Sequence, residues 1–123
     1  MEKDLAKIEH LLKQFLEAHQ PALQVRVNTE KNFEVAGTIP TMQGKQKVEG
    51  HYFASIMPKP KDIRLYFFPI YTHKDEFQLS EALQKKLKGK SCFHIKKLED
   101  DVALEIEAMI AKGVEVYKAS GLV

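Results

Sequence analysis

Apolar residues recur with the period of an α-helix at both ends of this chain, and this feature constrains the fold most. Near the N-terminus they are Leu5, Ile8, Leu12, Phe15 and Leu16, and near the C-terminus they are Val102, Ile106, Met109, Ile110, Val114 and Tyr117. An amphipathic helix must bury its apolar stripe against another element of the fold. The spacing predicts a helix at each end that closes over the middle of the chain, with Pro21 ending the first helix.

The middle of the chain has the residue pattern of β-strands. Strand-like segments bounded by turn residues are residues 23–27, 33–37, 48–57, 63–70 and 92–95. Residues 63–70 are the most apolar, which predicts a central strand covered on both faces. The polar residues 41–47 predict a turn or an exposed loop. The sequence therefore predicts an α+β fold class, with a mostly antiparallel central sheet of about five or six strands.

A short third helix is predicted between the last two strands. Ser80 can cap its N-terminus, because a serine hydroxyl accepts hydrogen bonds from the free N–H groups of the first turn. Leu83 and Leu87 lie on one apolar stripe of that helix. Gly89 stands where a left-handed C-cap is expected.

Length and charge limit the classes of function. A chain of 123 residues, 44% of them hydrophobic, is typical of a single domain with one core, which we expect to span residues 1–123. The 19 basic residues nearly balance the 17 acidic ones, and a net charge of +2 gives no strong field toward anionic polymers or lipids. We expect neither a nucleic acid nor a membrane as partner.

Cysteine usage indicates the compartment. Cys92 is the only cysteine, so neither an internal disulfide nor a multi-cysteine metal site can form. Residues 1–4 alternate in charge where a signal peptide would have a basic stretch followed by an apolar one, and residues 65–71 are too few to span a bilayer. These features predict cytoplasmic localisation.

Three segments resemble a known family. They are YFASIM at residues 52–57, IRLYFFPIY at residues 63–71 and GKSCFHIKKL at residues 89–98. In order and spacing they are similar to the bacterial YdhG-like family, a domain of unknown function. The resemblance implies helices packed on an antiparallel sheet. Because some members are described as frataxin-like intracellular iron chaperones, it also implies iron as a ligand.

Acidic residues cluster where the last helix begins. Within this cluster Asp101 and Glu105 are one helical turn apart and, with Glu99, form a candidate metal site for iron or calcium. The alternative is that these carboxylates stabilise the N-terminus of the helix through its dipole, with no ligand. In the first helix carboxylates alternate with lysines, which is unlike the acidic ridge that frataxin-type iron binding would use.

A candidate ligand pocket surrounds the last strand. In a strand Cys92 and His94 point to the same face, so they form either a nucleophile pair, a soft-metal pair or an ordinary packed pair. Lys90 and Ser91 belong to a basic patch that suits a small anion, or to a solvated strand end. Buried tyrosine hydroxyls need partners and often line cavities. The candidate residues are Tyr66, Tyr71, Lys90, Ser91, Cys92 and His94.

Three functions follow from these patterns. The first is a non-enzymatic domain that binds a small molecule or a protein partner, with no catalytic residue assigned. The second is a frataxin-like iron-binding chaperone, and the third is an enzyme that uses Cys92 and His94. Homodimer formation through an open sheet edge is a further hypothesis, with the start of segment 48–57 as the expected edge.

Overall fold

The computed structural model describes residues 1–123, with the side chain of Gln43 excepted. Four α-helices form: α1 (Leu5–Glu17), α2 (Pro69–Thr72), α3 (Glu81–Lys86) and α4 (Asp100–Ala119). One turn of 3-10 helix, Lys74–Glu76, lies between α2 and α3. The eight strands are β1 (Leu23–Asn28), β2 (Phe33–Gly37), β3 (Thr41–Gln43), β4 (Gln46–Val48), β5 (Tyr52–Pro58), β6 (Ile63–Phe67), β7 (Leu87–Lys88) and β8 (Cys92–Ile95).

Six of the strands form one antiparallel sheet in the order β1-β2-β5-β6-β8-β7. The other two, β3 and β4, form a separate two-stranded ribbon in the connection from β2 to β5. The N-terminal and C-terminal helices flank the six-stranded sheet. The α+β fold predicted from the sequence is confirmed.

One face of the sheet packs against α1 and α4 and forms the core. Leu65 of β6 lies opposite Ile56 of β5 and Phe93 of β8, so these three side chains point to the same face. All three are fully buried. The helices add the fully buried apolar side chains that their periodicity predicted, among them Ile8, Leu12, Leu16, Ile106 and Ile110.

The opposite face of the sheet is polar. Arg64 and Tyr66 of β6 alternate with the core residues, and each is half-buried. Their register partners on β8 are His94 and Cys92, respectively. Ser55 of β5 lies opposite Tyr66 on the same side. We call these five residues, Ser55, Arg64, Tyr66, Cys92 and His94, the polar face. The prediction that the central strand would be covered on both faces is wrong, because half-buried polar side chains occupy every second position of β6.

Two glycines allow parts of the fold to pack closely, because a side chain at either position would collide with a neighbour. At Gly50, just before β5, an added Cβ would overlap the carbonyl oxygen of Gly37 at the end of β2. At Gly113 of α4, an added Cβ would lie 2.6 Å from Cζ of Phe67 and 3.1 Å from Cζ of Phe53. Helix α4 can therefore lie directly on the aromatic rings of the core.

Local predictions differ from the structure at several points. The central strand ends at Phe67, and the apolar residues that follow form α2. Residues 41–47 form most of a two-stranded ribbon, and the predicted turn is confined to residues 44 and 45 between its strands. Helix α1 ends at Glu17, before Pro21 is reached. Helix α3 ends at Lys86, so Gly89, with φ of 81°, serves the turn from β7 to β8 and is not a helix cap.

The expected open edge is found only at the start of the segment, where Val48 lies in β4, which within the described chain pairs with β3 alone. The segment predicted as one strand from residue 48 to residue 57 is divided between β4 and β5. Strand β5 is paired with β2 on one side and with β6 on the other, so it is internal. The edges of the six-stranded sheet are β1 and β7.

Candidate functional site

The predicted pocket residues fall into two groups. Tyr66, Cys92 and His94 lie together on the polar face, as the strand register requires. Tyr71 and Lys90 lie at the rim of a groove beside the sheet. Ser91 lies between the groups, and its carbonyl oxygen accepts a 2.8 Å hydrogen bond from the N–H of Phe67. Of the six predicted residues, only Tyr71 and Lys90 line the groove.

A carboxylate that the sequence analysis missed organises the polar face. Asp62, just before β6, is buried, and its Oδ1 lies 3.3 Å from Nε of Arg64. Its Oδ2 lies 3.7 Å from Nδ1 of His94. The sequence contained a signal for Asp62. In an extended chain positions 62, 64 and 66 lie on the same face, so Asp62 continues the polar side of β6 beyond the start of the strand. The carboxylate thus lies between the arginine of β6 and the imidazole of β8.

The thiol on this face is not activated. Cys92 is buried, and that burial raises the pKa of its thiol above the ordinary value, although a hydrogen-bonding contact with Tyr66 acts in the opposite direction. A nucleophilic cysteine needs a lowered pKa, since the thiolate is the reactive form. Cys92 and His94 thus share a face, but the effect of burial on the pKa of the thiol outweighs the opposing effects of Tyr66 and of the Arg64 charge.

We expect iodoacetamide to alkylate Cys92 in the folded protein more slowly than it alkylates free cysteine at the same neutral pH. The reason is that burial both shields the sulfur and disfavours the thiolate. Mass spectrometry of timed samples measures the rate. The same protein unfolded in guanidinium chloride is the control and should react as free cysteine does. Equal rates for the folded and unfolded chains would contradict this picture.

The groove lies between α2, the 3-10 turn, α3 and the turn from β7 to β8. Its volume is about 910 Å³. The residues that line it are Ile70, Tyr71, Lys74, Phe77, Gln78, Leu79, Gln84, Leu87, Gly89 and Lys90. All of them come from one continuous stretch of 21 residues, 70–90.

The floor of the groove is apolar and rests on the core. Phe77 packs edge-to-face on the buried ring of Phe67, with centroids 5.5 Å apart. Leu79 and Leu87 are partly buried and pack against the same core, and Ile70 is buried within it. These side chains are supported from below by the sheet, so the floor is formed before any ligand arrives.

The rim of the groove is polar and cationic. Nζ of Lys90 lies 5.2 Å from the ring centroid of Tyr71, a cation–π arrangement, and that tyrosine is 49% exposed. Nε2 of Gln84 donates a 3.1 Å hydrogen bond to the carbonyl oxygen of Leu79 and so fixes one wall. Lys74 adds a second ammonium group at the rim.

Sequence reasoning found two of these lining residues, Tyr71 and Lys90, and missed the apolar floor. Residues 71–79 follow the predicted strand of residues 63–70, and their pattern predicts no element. The short helix α2 begins with Pro69 at its first position, a placement that favours helix initiation. That proline after the apolar run was the signal that could have indicated the change from strand to helix.

The predicted metal ligands are engaged with protein groups. The carboxylate of Glu99 lies 3.2 Å from Nζ of Lys86, and hydrogen bonding from its own backbone N–H, aided by that lysine, lowers the pKa of Glu99. The carboxylate of Glu105 accepts hydrogen bonds from the N–H and the hydroxyl of Ser80 at 2.8 and 2.5 Å. Oδ1 of Asp101 accepts from the N–H of Val102 at 3.0 Å.

Ser80 caps α3 as predicted, since its hydroxyl accepts a 3.2 Å hydrogen bond from the N–H of Leu83. Glu105 therefore ties the start of α3 to α4.

Among the side chains that the structure describes, no three His, Cys, Asp or Glu residues are grouped so that they could hold a metal ion.

None of the helices in the described chain combines the length and apolar character needed to cross a bilayer. Compared with protein-family models, with curated proteins and with solved structures, the chain gave no match in any of the three.

Proposed function

We propose that this protein is a non-enzymatic domain that binds a small organic molecule in the groove lined by residues 70–90. The observation that carries the proposal is the groove itself, with its apolar floor and polar rim. Ligand sites in proteins are typically concave, mostly apolar and about 300–1,000 Å³ in volume, with a few polar groups that orient the ligand. The groove, at about 910 Å³, falls within that range.

The floor suits an apolar ring or chain. Phe77 is held by the core ring of Phe67, and Leu79 and Leu87 flank it, so a ligand would bury apolar surface without first rearranging the protein. Such a preformed site avoids the entropic cost of ordering side chains on binding. The rim then supplies hydrogen-bond donors from Gln78 and Gln84.

The other functions have weaker support. The enzyme hypothesis needs a reactive Cys92, whose pKa is raised rather than lowered. The iron function implied by the YdhG-like resemblance needs carboxylates free to coordinate, whereas Glu99 lies in an ion pair with Lys86 and Glu105 accepts hydrogen bonds from Ser80. The YdhG-like family, iron binding, a protein partner, a homodimer and cytoplasmic localisation stay predictions.

Titration with 2-naphthol, an uncharged aromatic probe at neutral pH, tests the proposed site. In ¹H–¹⁵N NMR spectra we expect the amide resonances of Ile70, Phe77, Leu79 and Leu87 to shift, because the floor buries the ring. The amides of α1, which does not line the groove, are expected to stay unchanged.

A matched pair of variants sharpens this test. Gln78→Trp places a large side chain at the groove and should weaken the binding of 2-naphthol. Lys85→Trp makes the same change at an exposed position of α3 that does not line the groove, so it should bind as the unaltered protein does. Shifts scattered over the whole surface, or equal binding by both variants, would refute the proposed site.

A further inference from the structure

Every charged side chain that lines the groove is a cation. Of the ten lining residues that the structure describes, two are lysines, Lys74 and Lys90, and none is acidic. The whole chain has nearly balanced charge, so this local excess of positive charge is a property of the groove and not of the protein. Lysines at the mouth of an apolar site attract the anionic end of a ligand.

Several nearby carboxylates pair with other lysines and not with these two. Lys85 pairs with Glu81, Lys86 with Glu99, and Lys112 with Glu76, at 3.5, 3.2 and 3.9 Å, respectively. Within the described part of the chain, neither Lys74 nor Lys90 is in a salt bridge. The carboxylate of Glu76, two residues from Lys74, lies instead against Lys112 on α4.

Tyr71 positions one of the ammonium groups without neutralising it. The ring holds Nζ of Lys90 at 5.2 Å from its centroid, and it is itself packed beside Phe68, with centroids 5.7 Å apart. A cation over an aromatic face keeps its full charge and its hydrogen-bond donors. Lys90 is thereby held at the rim, where it can donate to an oxyanion.

We propose that the groove selects an organic anion with an apolar body, such as an aromatic or acyl carboxylate. This inference rests on the proposed function, since it names the class of ligand for the same site. The apolar body would lie on Phe77, Leu79 and Leu87, and the anionic group would face Lys74 and Lys90. A small inorganic anion would leave the apolar floor unfilled, and an organic cation would meet two like charges.

Three probes that share one ring system and differ in charge test the proposal. They are 2-naphthoate, 2-naphthol and 2-naphthylmethylammonium, titrated into the full chain and followed by the amide resonances of the groove. We expect 2-naphthoate to bind about three- to tenfold more tightly than 2-naphthol, a modest factor because the rim is solvated. The cation should bind most weakly, and added salt should weaken only the binding of 2-naphthoate.

Two double variants separate the rim charges from other lysines. Lys74→Gln with Lys90→Gln should remove the preference for 2-naphthoate over 2-naphthol, because the two ammonium groups are lost while the apolar floor is retained. Lys85→Gln with Lys112→Gln changes two paired lysines outside the lining and should preserve the preference. Thermal unfolding of each variant shows that it is folded.

The outcomes separate the preference for an anion from the binding of a ligand in the groove. If 2-naphthol and 2-naphthoate bind in the groove with equal affinity, or if the rim variant keeps the preference, then the anion assignment fails and the ligand-binding function stands. If neither probe shifts the groove resonances, both proposals fail. Tighter binding of the cation would also overturn the assignment.

Discussion

Replacing Gly50 with alanine is expected to destabilise the protein by about 3 kcal/mol or more, as overpacking at a site without free space does. The added Cβ would overlap the carbonyl oxygen of Gly37 and lie 2.7 Å from its carbonyl carbon. Both atoms belong to the backbone, so no side-chain rotation can relieve the overlap. The end of β2 or the start of β5 must move instead, and β5 is an internal strand of the sheet.

Urea unfolding followed by circular dichroism measures this loss. The control is Glu49→Ala at the exposed neighbouring position, which should change the free energy of unfolding by less than about 0.5 kcal/mol. If the Gly50→Ala variant lost less than about 1 kcal/mol, the close approach of Gly50 to Gly37 would be wrong.

Replacing Gly113 with alanine is expected to destabilise the protein by about 1–3 kcal/mol, because the new methyl group overpacks the core. Alanine normally stabilises a helix interior by about 1 kcal/mol relative to glycine, so the expected sign is the reverse of the helix propensity. The reason is that the added Cβ would lie 2.6 Å from Cζ of Phe67, whose ring is fully buried against Phe53 and Phe77.

A double-mutant cycle with Phe67→Leu identifies the cause. Leucine removes the ring atom that the new methyl group meets, so the double variant should be more stable than the sum of the two single changes predicts, by about 1 kcal/mol. Ala108→Gly at an exposed position of α4 is the control, and it should show the ordinary loss of about 1 kcal/mol. Additive effects within the cycle would contradict direct contact between Gly113 and Phe67.

The sequence predicted best the features that depend on local periodicity. The apolar stripes of α1 and α4 and the common face of Cys92 and His94 follow from repeats of 3.6 and 2 residues, which neighbouring residues alone determine. The serine cap of α3 is equally local, because the hydroxyl of Ser80 reaches only three residues forward. Each of these predictions is confirmed.

The features that the sequence did not predict depend on contacts between residues distant in sequence, or on segments whose residue pattern differs from the period of the element that they form. Residues 65–68 are uniformly apolar, yet in the strand Tyr66 faces the polar side, where Cys92 from β8 lies opposite. No pattern within residues 63–70 could reveal that partner. The ribbon of β3 and β4 is polar throughout most of its length, so it lacks the alternation by which strands are recognised.

The sequence predicted only part of the candidate site, because the rest depends on contacts between residues that are distant in sequence. Tyr71 and Lys90 are 19 positions apart, and their contact depends on how the turn after β7 returns beside α2. The apolar floor joins Ile70 to Leu87 across a similar separation. Asp62 became visible as the partner of His94 only once β6 and β8 were paired.

The two edge strands of the six-stranded sheet, β1 and β7, affect whether copies of this protein can pair through their sheets. A strand with a row of unpaired N–H and C=O groups is a template for another chain, and proteins shorten, charge or bulge such strands to prevent it. Strand β7 has only two residues, one of them the exposed Lys88, and β1 carries a register irregularity between Val25 and Val27. Neither end offers a long, flat strand, so growth of the sheet from one molecule into the next is disfavoured by the fold itself.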